Sequence, residues 1–169
     1  NNNSWINYGE WLAEPRNSKV FEAEEKIIVR QTGDRIIATI IGANIICRNN
    51  LHIVISDTIS HKFILGIFNS KLIDFYYQLL NPERGEALAE VKKNHVEQLP
   101  IPENISEKQE TEIIKFVEQL LQFNIDLQTE KIPNRREQIT QRIEYAEDKI
   151  NELIYQIYDL TEEEIKIIE

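Results

Sequence analysis

The stretch FILGIFNSKLIDFYYQLL, residues 63–80, is the most apolar part of the sequence. Its apolar residues recur at helical spacing, which predicts one helix over about residues 60–80. The apolar face is wide, so the helix has to be covered on more than one side. The residues that form this face are Ile64, Leu65, Phe68, Leu72, Ile73, Phe75, Tyr76 and Leu79.

Short β-branched runs precede this helix and predict a small sheet. Thr32-Gly33-Asp34 separates the first two runs and indicates a hairpin or a sharp turn. Asn49-Asn50 marks a second turn. We therefore expect three or four short strands in a meander, formed by KIIVRQ (26–31), RIIATII (35–41), NIICRN (44–49) and LHIVIS (51–56).

Two long helices are predicted after the extended LPIP segment, residues 99–102, where each proline restrains its own backbone and that of its predecessor. Residues 81–93 before it are expected to be a turn and a polar loop or short helix. Ser106 and Gln109 fit a capping box for a helix over about residues 106–128, and Pro133 interrupts the apolar pattern that follows.

The second long helix carries apolar residues at alternating spacings of four and three, the period of a heptad repeat. An antiparallel hairpin of the two helices is the simplest arrangement. Thr161 and Glu164 predict the cap of a short last helix. The repeat is long enough to allow a coiled coil, and its residues are Ile139, Ile143, Ala146, Ile150, Leu153, Ile157 and Leu160.

These elements predict an α+β fold in which a small, mostly antiparallel sheet packs with a buried helix and is followed by a long helical hairpin. We expect two domains, an α+β domain over residues 1–102 and the helical hairpin over residues 103–169. A chain that begins Asn-Asn-Asn and contains no Met is expected to be a piece of a longer protein.

The acidic net charge of −10 is concentrated in one part of the chain. Residues 1–100 hold 11 Lys and Arg against 12 Asp and Glu, whereas residues 101–169 hold 8 against 17. A locally positive surface on the first part therefore remains compatible with the composition. The single Cys47 predicts a reducing compartment, the cytoplasm, and we expect no segment that spans a membrane.

Catalytic and metal-binding motifs are not recognisable in the sequence. The five glycines are scattered, so no phosphate-binding loop is predicted. The three histidines do not show metal-ligand spacing with Cys47. We therefore predict no catalytic residue and no metal site in this chain, and a free-standing hydrolase has no residues to support it.

Cationic and amide side chains do cluster on or beside the predicted strands and before LPIP. Guanidinium groups match guanine edges and phosphates, and Asn or Gln amides match adenine. The alternative is ordinary surface charge, paired with Glu22, Glu24 and Glu25. The candidate DNA-binding residues are Arg16, Lys19, Arg30, Gln31, Arg35, Arg48, Asn49, Lys92 and Lys93.

The order of these segments resembles the TaqI-like C-terminal specificity domain of type II restriction–modification proteins, a family related to the target-recognition domains of type I specificity subunits. No single motif is diagnostic, and the ordered set carries the resemblance. The matching residues are Pro15-Arg16, Phe21, Lys26 to Arg30, Arg35, Ala38-Thr39, Leu65 to Lys71, Phe75-Tyr76 and Leu99 to Pro102.

The resemblance implies recognition of a double-stranded DNA sequence for an adenine-specific methyltransferase, often fused to an endonuclease. The catalytic domain would lie upstream, bind S-adenosylmethionine and flip the adenine out of the duplex. The helical hairpin would act as a spacer or docking arm against the methyltransferase or nuclease domain. The alternative is a protein–protein module whose heptad helices dimerise or dock a partner.

Overall fold

The computed structural model describes residues 9–11, 17–81, 83, 85–86, 89–103 and 105–169. A three-stranded antiparallel sheet is followed by a run of helices, of which two are long, so the predicted α+β class is confirmed. The elements are α1 (Ser18–Glu22), β1 (Glu25–Arg30), β2 (Ala38–Gly42), β3 (Leu51–Val54), α2 (His61–Phe68), α3 (Lys71–Leu80), α4 (Lys93–Val96), α5 (Glu107–Thr129), α6 (Pro133–Ile157) and α7 (Glu162–Ile168).

The strand order is β2-β1-β3, so the predicted meander is wrong. β1 lies in the centre, and Leu51 of β3 pairs with Arg30 at the end of β1. Residues 44–49 form no strand. The chain turns at Asn44, which has a φ of 59°, and the Asn44 N–H donates to Phe21 O at 2.8 Å. The segment then runs back past the sheet, so β3 begins beside the end of β1.

The central strand buries Ile27 and Val29, both 0% exposed, on the face that carries the hydrophobic core. Lys26 points to the other face and is also 0% exposed. Its ammonium donates to Phe21 O at 3.0 Å and to Gly42 O at 2.7 Å, and its third acceptor is Ala23 O at 3.4 Å. Lys26 therefore joins α1 to the sheet, and its charge does not reach the surface.

The apolar segment 63–80 forms two helices, α2 and α3, and the predicted single helix is wrong. The break lies at Asn69-Ser70. The Asn69 side chain accepts from Ala38 N and donates to Ala38 O, both at 3.0 Å, and thereby covers the edge of β2. Ser70 caps α3 by accepting from Ile73 N at 3.2 Å. Leu79, which was predicted to lie on the apolar face, is 71% exposed.

Helix α2 is buried on all sides from Phe63 to Phe68, as the wide apolar face predicted. It packs between the sheet and α5. The contact with α5 is close at Gly66, where an added Cβ would lie 2.8 Å from Ile113 Cγ2 and 3.1 Å from Val117 Cγ2. Gly66 therefore sets how near the two helices approach.

The helical hairpin is present, with the predicted capping box at Ser106 and Gln109 and with Pro133 at the start of α6. The second predicted cap, formed by Thr161 and Glu164, begins α7. The coiled-coil interpretation stays a prediction, and its last position, Leu160, lies beyond the end of α6.

The hairpin contributes to the same core as the sheet, through Ile113 and Val117 of α5 and through Ile150 and Ile154 of α6. Tyr158, just after α6, donates to Pro100 O in the LPIP segment at 2.6 Å. The division into domains at residues 102 and 103 stays a prediction. Among the described helices, none is both long and apolar enough to cross a membrane.

Candidate nucleic-acid interface

Three loop segments meet at the end of the sheet where β1 stops. Gln31 is at the centre, because its N–H donates to Asn50 O at 3.0 Å and its carbonyl accepts from Val91 N at 2.6 Å. Gly33 N donates to Ala89 O at 2.9 Å. These main-chain bonds join residues 30–35, 48–50 and 89–93 into one unit, which we name the three-loop surface.

Side chains from the core side hold the third segment in place. His52 Nε2 lies 2.6 Å from Val91 O, so this nitrogen carries the proton and donates. The buried Tyr77 hydroxyl donates to Glu90 O at 3.3 Å. Burial raises the pKa of Tyr77, with a smaller contribution from Glu83, so its hydroxyl stays protonated as a donor. The third segment is therefore anchored to β3 and α3.

The turn between β1 and β2 positions Arg30. Gly33 has a φ of +139°, a conformation that L side chains rarely adopt. A Cβ at this residue would lie 2.8 Å from Arg30 Nη2, so the guanidinium lies against the turn. The side chain of Asp34 accepts from Gly85 N at 3.2 Å and ties the same turn to the 83–86 segment. The predicted hairpin between β1 and β2 is confirmed.

Most of the predicted DNA-binding residues lie on the three-loop surface. Arg30, Arg35 and Arg48 are exposed, and so is Asn49. Gln31 is half-buried, because its backbone is part of the frame. The structure therefore places these five residues on segments that meet at one end of the sheet. Arg35 also lines a cavity that includes acidic residues of α3 and α6.

A family model matches the part of the chain that contains this surface. The model of the TaqI-like C-terminal specificity domain matches residues 1–101, which is more than half of the 169 residues. The chain belongs to this family. A search of curated proteins found no match. The match covers the sheet, α2, α3 and the whole three-loop surface, and ends before α5.

In this specificity domain, Lys92 and Lys93 lie on the third segment and are both ion-paired. Lys92 Nζ lies 2.6 Å from Glu83 Oε1, and Lys93 Nζ lies 3.2 Å from Glu97 Oε1. The hydrogen bond with Lys92 lowers the pKa of Glu83, and the same bond raises the pKa of Lys92. The pair is therefore fully charged at neutral pH.

One of the remaining two candidates, Lys19, lies apart from the three-loop surface. Lys19 is exposed on α1, which lies at the Glu25 end of the sheet, about 17 Å from Arg30 along β1. Arg16 lies outside the described residues. The acidic residues Glu22 and Glu24 flank α1 and β1 at that same far end, away from the exposed arginines. All nine candidates stay predictions as DNA contacts.

Sequence reasoning missed the residues that position the specificity domain's surface. His52 and Tyr77 bond to carbonyls 39 and 13 residues away, and Glu83 bonds to Lys92 across nine residues. No motif or periodicity marks such pairs in a single sequence, because they depend on how β3, α3 and the loop meet in space.

The chemistry available at this surface is hydrogen bonding and charge pairing. Exposed guanidinium and amide groups can read base edges and bind phosphates. Within the part of the chain that the structure describes, no group of three His, Cys, Asp or Glu side chains is placed to hold a metal ion.

Proposed function

We propose that this specificity domain binds a particular sequence in double-stranded DNA for a restriction–modification enzyme, and that the three-loop surface makes the contacts. The observation that carries the proposal is the placement of Arg30, Arg35 and Arg48 with Gln31 and Asn49 on one hydrogen-bonded frame. Family membership supports it, since the matched family is one of specificity domains.

Local charge favours a DNA partner in spite of the acidic chain. The three-loop surface holds five Lys and Arg and two acidic residues of its own, Asp34 and Glu90. Two of the five cations, Lys92 and Lys93, are paired with acids outside it, and the other three are the arginines. The carboxylate of Asp34 is occupied by the Gly85 N–H. Most of the excess negative charge lies in residues 101–169. Contacts between such cations and DNA phosphates would provide affinity and orient the protein, while contacts to base edges would provide specificity.

The frame also favours recognition because hydrogen bonds already connect its segments without DNA. Main-chain hydrogen bonds join all three segments, and His52 and Tyr77 anchor the third. A surface that is already ordered loses less conformational entropy when it binds. We assign direct base contacts to Gln31, Asn49 and one or more of the arginines on this basis.

Catalysis belongs to another part of the enzyme in this proposal. An adenine methyltransferase domain, upstream of the chain, binds S-adenosylmethionine and takes the adenine out of the duplex. An endonuclease domain accompanies it in fused enzymes, and the enzyme acts in the cytoplasm. The α5–α6 hairpin serves as a spacer or docking arm toward these domains.

A second candidate function is a protein–protein module, and the distal half of the hairpin favours it. Residues 118–145 include no fully buried side chain, so this part of α5 and α6 extends beyond the core. Ile125 is 57% exposed and Ile132 is 48% exposed on it. This candidate function predicts that the chain does not bind DNA at all, so the same binding experiment distinguishes the two.

The experiment is selection of a target from a pool of random-sequence duplexes, followed by titration of the selected duplex with Arg30→Ala/Arg35→Ala. We expect the double variant to lose at least tenfold in affinity, because a base contact contributes about 1–3 kcal/mol. The salt dependence should also become shallower if either arginine contacts a phosphate.

The matched control is Lys108→Ala/Lys115→Ala, which removes two cations from α5, outside the three-loop surface. It should bind like the unaltered chain. Both variants should unfold at the temperature of the unaltered chain. Equal affinity of the arginine variant and the unaltered chain would remove these residues from the interface, and no selectable target would contradict the proposed function.

A further inference from the structure

The carboxylate of Glu83 occupies two donors at the edge of the three-loop surface. Its Oε1 accepts from Lys92 Nζ at 2.6 Å, and its Oε2 accepts from Glu90 N at 3.2 Å. The backbone of Glu83 is also bonded to the protein interior, because its N–H donates to the side chain of Asn81, which is 1% exposed. One ammonium and one backbone N–H therefore converge on a single anion.

A phosphate group can take the same position. Carboxylate and phosphate oxygens both accept charge-assisted hydrogen bonds from lysine and bonds from backbone N–H groups. The Lys92 side chain is 45% exposed and the Glu83 side chain is 28% exposed, so solvent reaches both. Exchange of one anion for another would leave the hydrophobic core undisturbed.

The position of the two donors fits a DNA backbone that lies on the three-loop surface. Glu90 forms an antiparallel bridge with Thr32, and Val91 donates to Gln31 O at 2.6 Å. The donors are thus one residue to either side of the bond that holds Gln31, which is one of the proposed base contacts. A phosphate bound by Lys92 and Glu90 N would fix the register of a nucleotide beside Gln31.

We propose that Lys92 Nζ and Glu90 N form a phosphate site of the interface, and that Glu83 fills this site in the DNA-free chain and is displaced by a backbone phosphate of the bound DNA. The inference rests on the proposed function. It makes Glu83 a built-in competitor for DNA. A purely structural ion pair would have the opposite effect, since its loss would loosen the third segment and weaken binding.

The test compares Glu83→Gln, Lys92→Met and the double variant on the selected duplex. Glu83→Gln keeps the shape and removes the competing charge, so affinity should rise about two- to fivefold, the range of exposed ion pairs. Lys92→Met should weaken binding and reduce the slope of log K against log salt by about 0.9, the contribution of one phosphate. In the Lys92→Met variant, the further substitution Glu83→Gln should change DNA affinity little.

Glu86→Gln is the matched control, because Glu86 is an exposed acid in the same loop and its N–H bonds to Glu83 O. It measures the general benefit of removing one negative charge near DNA. The inference is overturned if Glu83→Gln lowers DNA affinity or raises it no more than Glu86→Gln does. It is also overturned if Glu83→Gln raises affinity equally in the presence and absence of Lys92→Met. Equal unfolding temperatures exclude a general loss of structure.

Failure of the proposed function gives a different result. In that case the unaltered chain selects no duplex, and none of the variants binds. An unaltered chain that binds its target, with a Lys92→Met variant of unchanged affinity and salt slope, would instead overturn the phosphate site alone.

Discussion

Single polar side chains fasten distant parts of this backbone to one another. Asn69 binds both the N–H and the carbonyl of Ala38, and Tyr158 bonds to Pro100 O. Each bond joins residues that are far apart in the sequence. Burial raises the pKa of Tyr158 to about 12, so its hydroxyl is a donor throughout the neutral range.

Tyr158→Phe should lower the free energy of unfolding by about 1 kcal/mol, because it removes the hydroxyl and leaves Pro100 O without this donor. Urea denaturation measures the change. Tyr145→Phe is the control, since Tyr145 is 59% exposed and should change stability by less than about 0.5 kcal/mol. An equal effect of both substitutions would show that the Tyr158 bond contributes nothing specific.

Residue-level features were predictable from the sequence only where both partners are close in the chain. Ser106 with Gln109 and Thr161 with Glu164 were recognised because a capping box spans four consecutive residues. The bonds of Asn69 to Ala38 span 31 residues and leave no local pattern. The exposed arginines could be named as candidates, but the pairing of Lys92 with Glu83 could not.

Elements were predicted well in type and less well in extent. The first long helix, predicted over about residues 106–128, spans Glu107–Thr129, because a capping box marks its start. The helix over 60–80 is in fact two helices, since hydrophobic periodicity continues through a polar pair such as Asn69-Ser70. The segment 44–49 has β-branched residues but follows a turn that carries it away from the sheet edge.

Gly66→Ala should destabilise the contact between α2 and α5. The added methyl group would lie 2.8 Å from Ile113 Cγ2, and overpacking of this kind costs about 1–3 kcal/mol. The gain in helix propensity, about 1 kcal/mol, offsets only part of this cost. Thermal or urea unfolding should therefore show a net loss.

Gly42→Ala serves as the control for Gly66→Ala, because the nearest atom to an added Cβ there is Glu24 O at 3.9 Å. It should not destabilise the chain. If Gly66→Ala matched it, α2 and α5 would be able to separate without loss, and Gly66 would not determine their spacing.

At the scale of the whole molecule, acidic and basic residues are segregated, and the strand order determines which basic residues lie close together. Placing β1 in the centre brings residues 30–35 and 48–50 together, which a meander would not do. Sequence counts could show that the acidic excess lies after residue 100. They could not show that Lys26 is buried or that Lys19 lies at the opposite end of the sheet.

Stability should fall when the solution is acidified. Hydrogen bonds and cations lower the pKa of Glu83, Glu164 and Glu169 below the ordinary 4.5 in the folded chain. Lowered carboxyl pKa values stabilise the fold above 4.5, and this contribution is lost as pH falls through the folded-state values. Urea midpoints measured across this range should be constant near neutrality and decline below 4.5.

Protonation of Glu147 should instead stabilise the fold as the pH falls, because burial and the neighbouring acids Asp148 and Glu144 raise its pKa. Glu147→Gln therefore provides the control and should leave the acid decline in place. A midpoint that rose steadily as the pH fell would mean that relief of repulsion among the acidic groups outweighs the paired carboxylates.

The joining of the three loops through main-chain groups has a consequence for how recognition could change over time. Every residue except proline supplies the same N–H and C=O, so the bonds among Gln31, Asn50 and Val91 do not depend on the identity of these three side chains. Gly33 and the anchors His52 and Tyr77 would have to be kept. New target sequences could be acquired by exchanging a few exposed residues, with no insertion and no rearrangement of the sheet. Specificity and foldability would then evolve largely independently of each other.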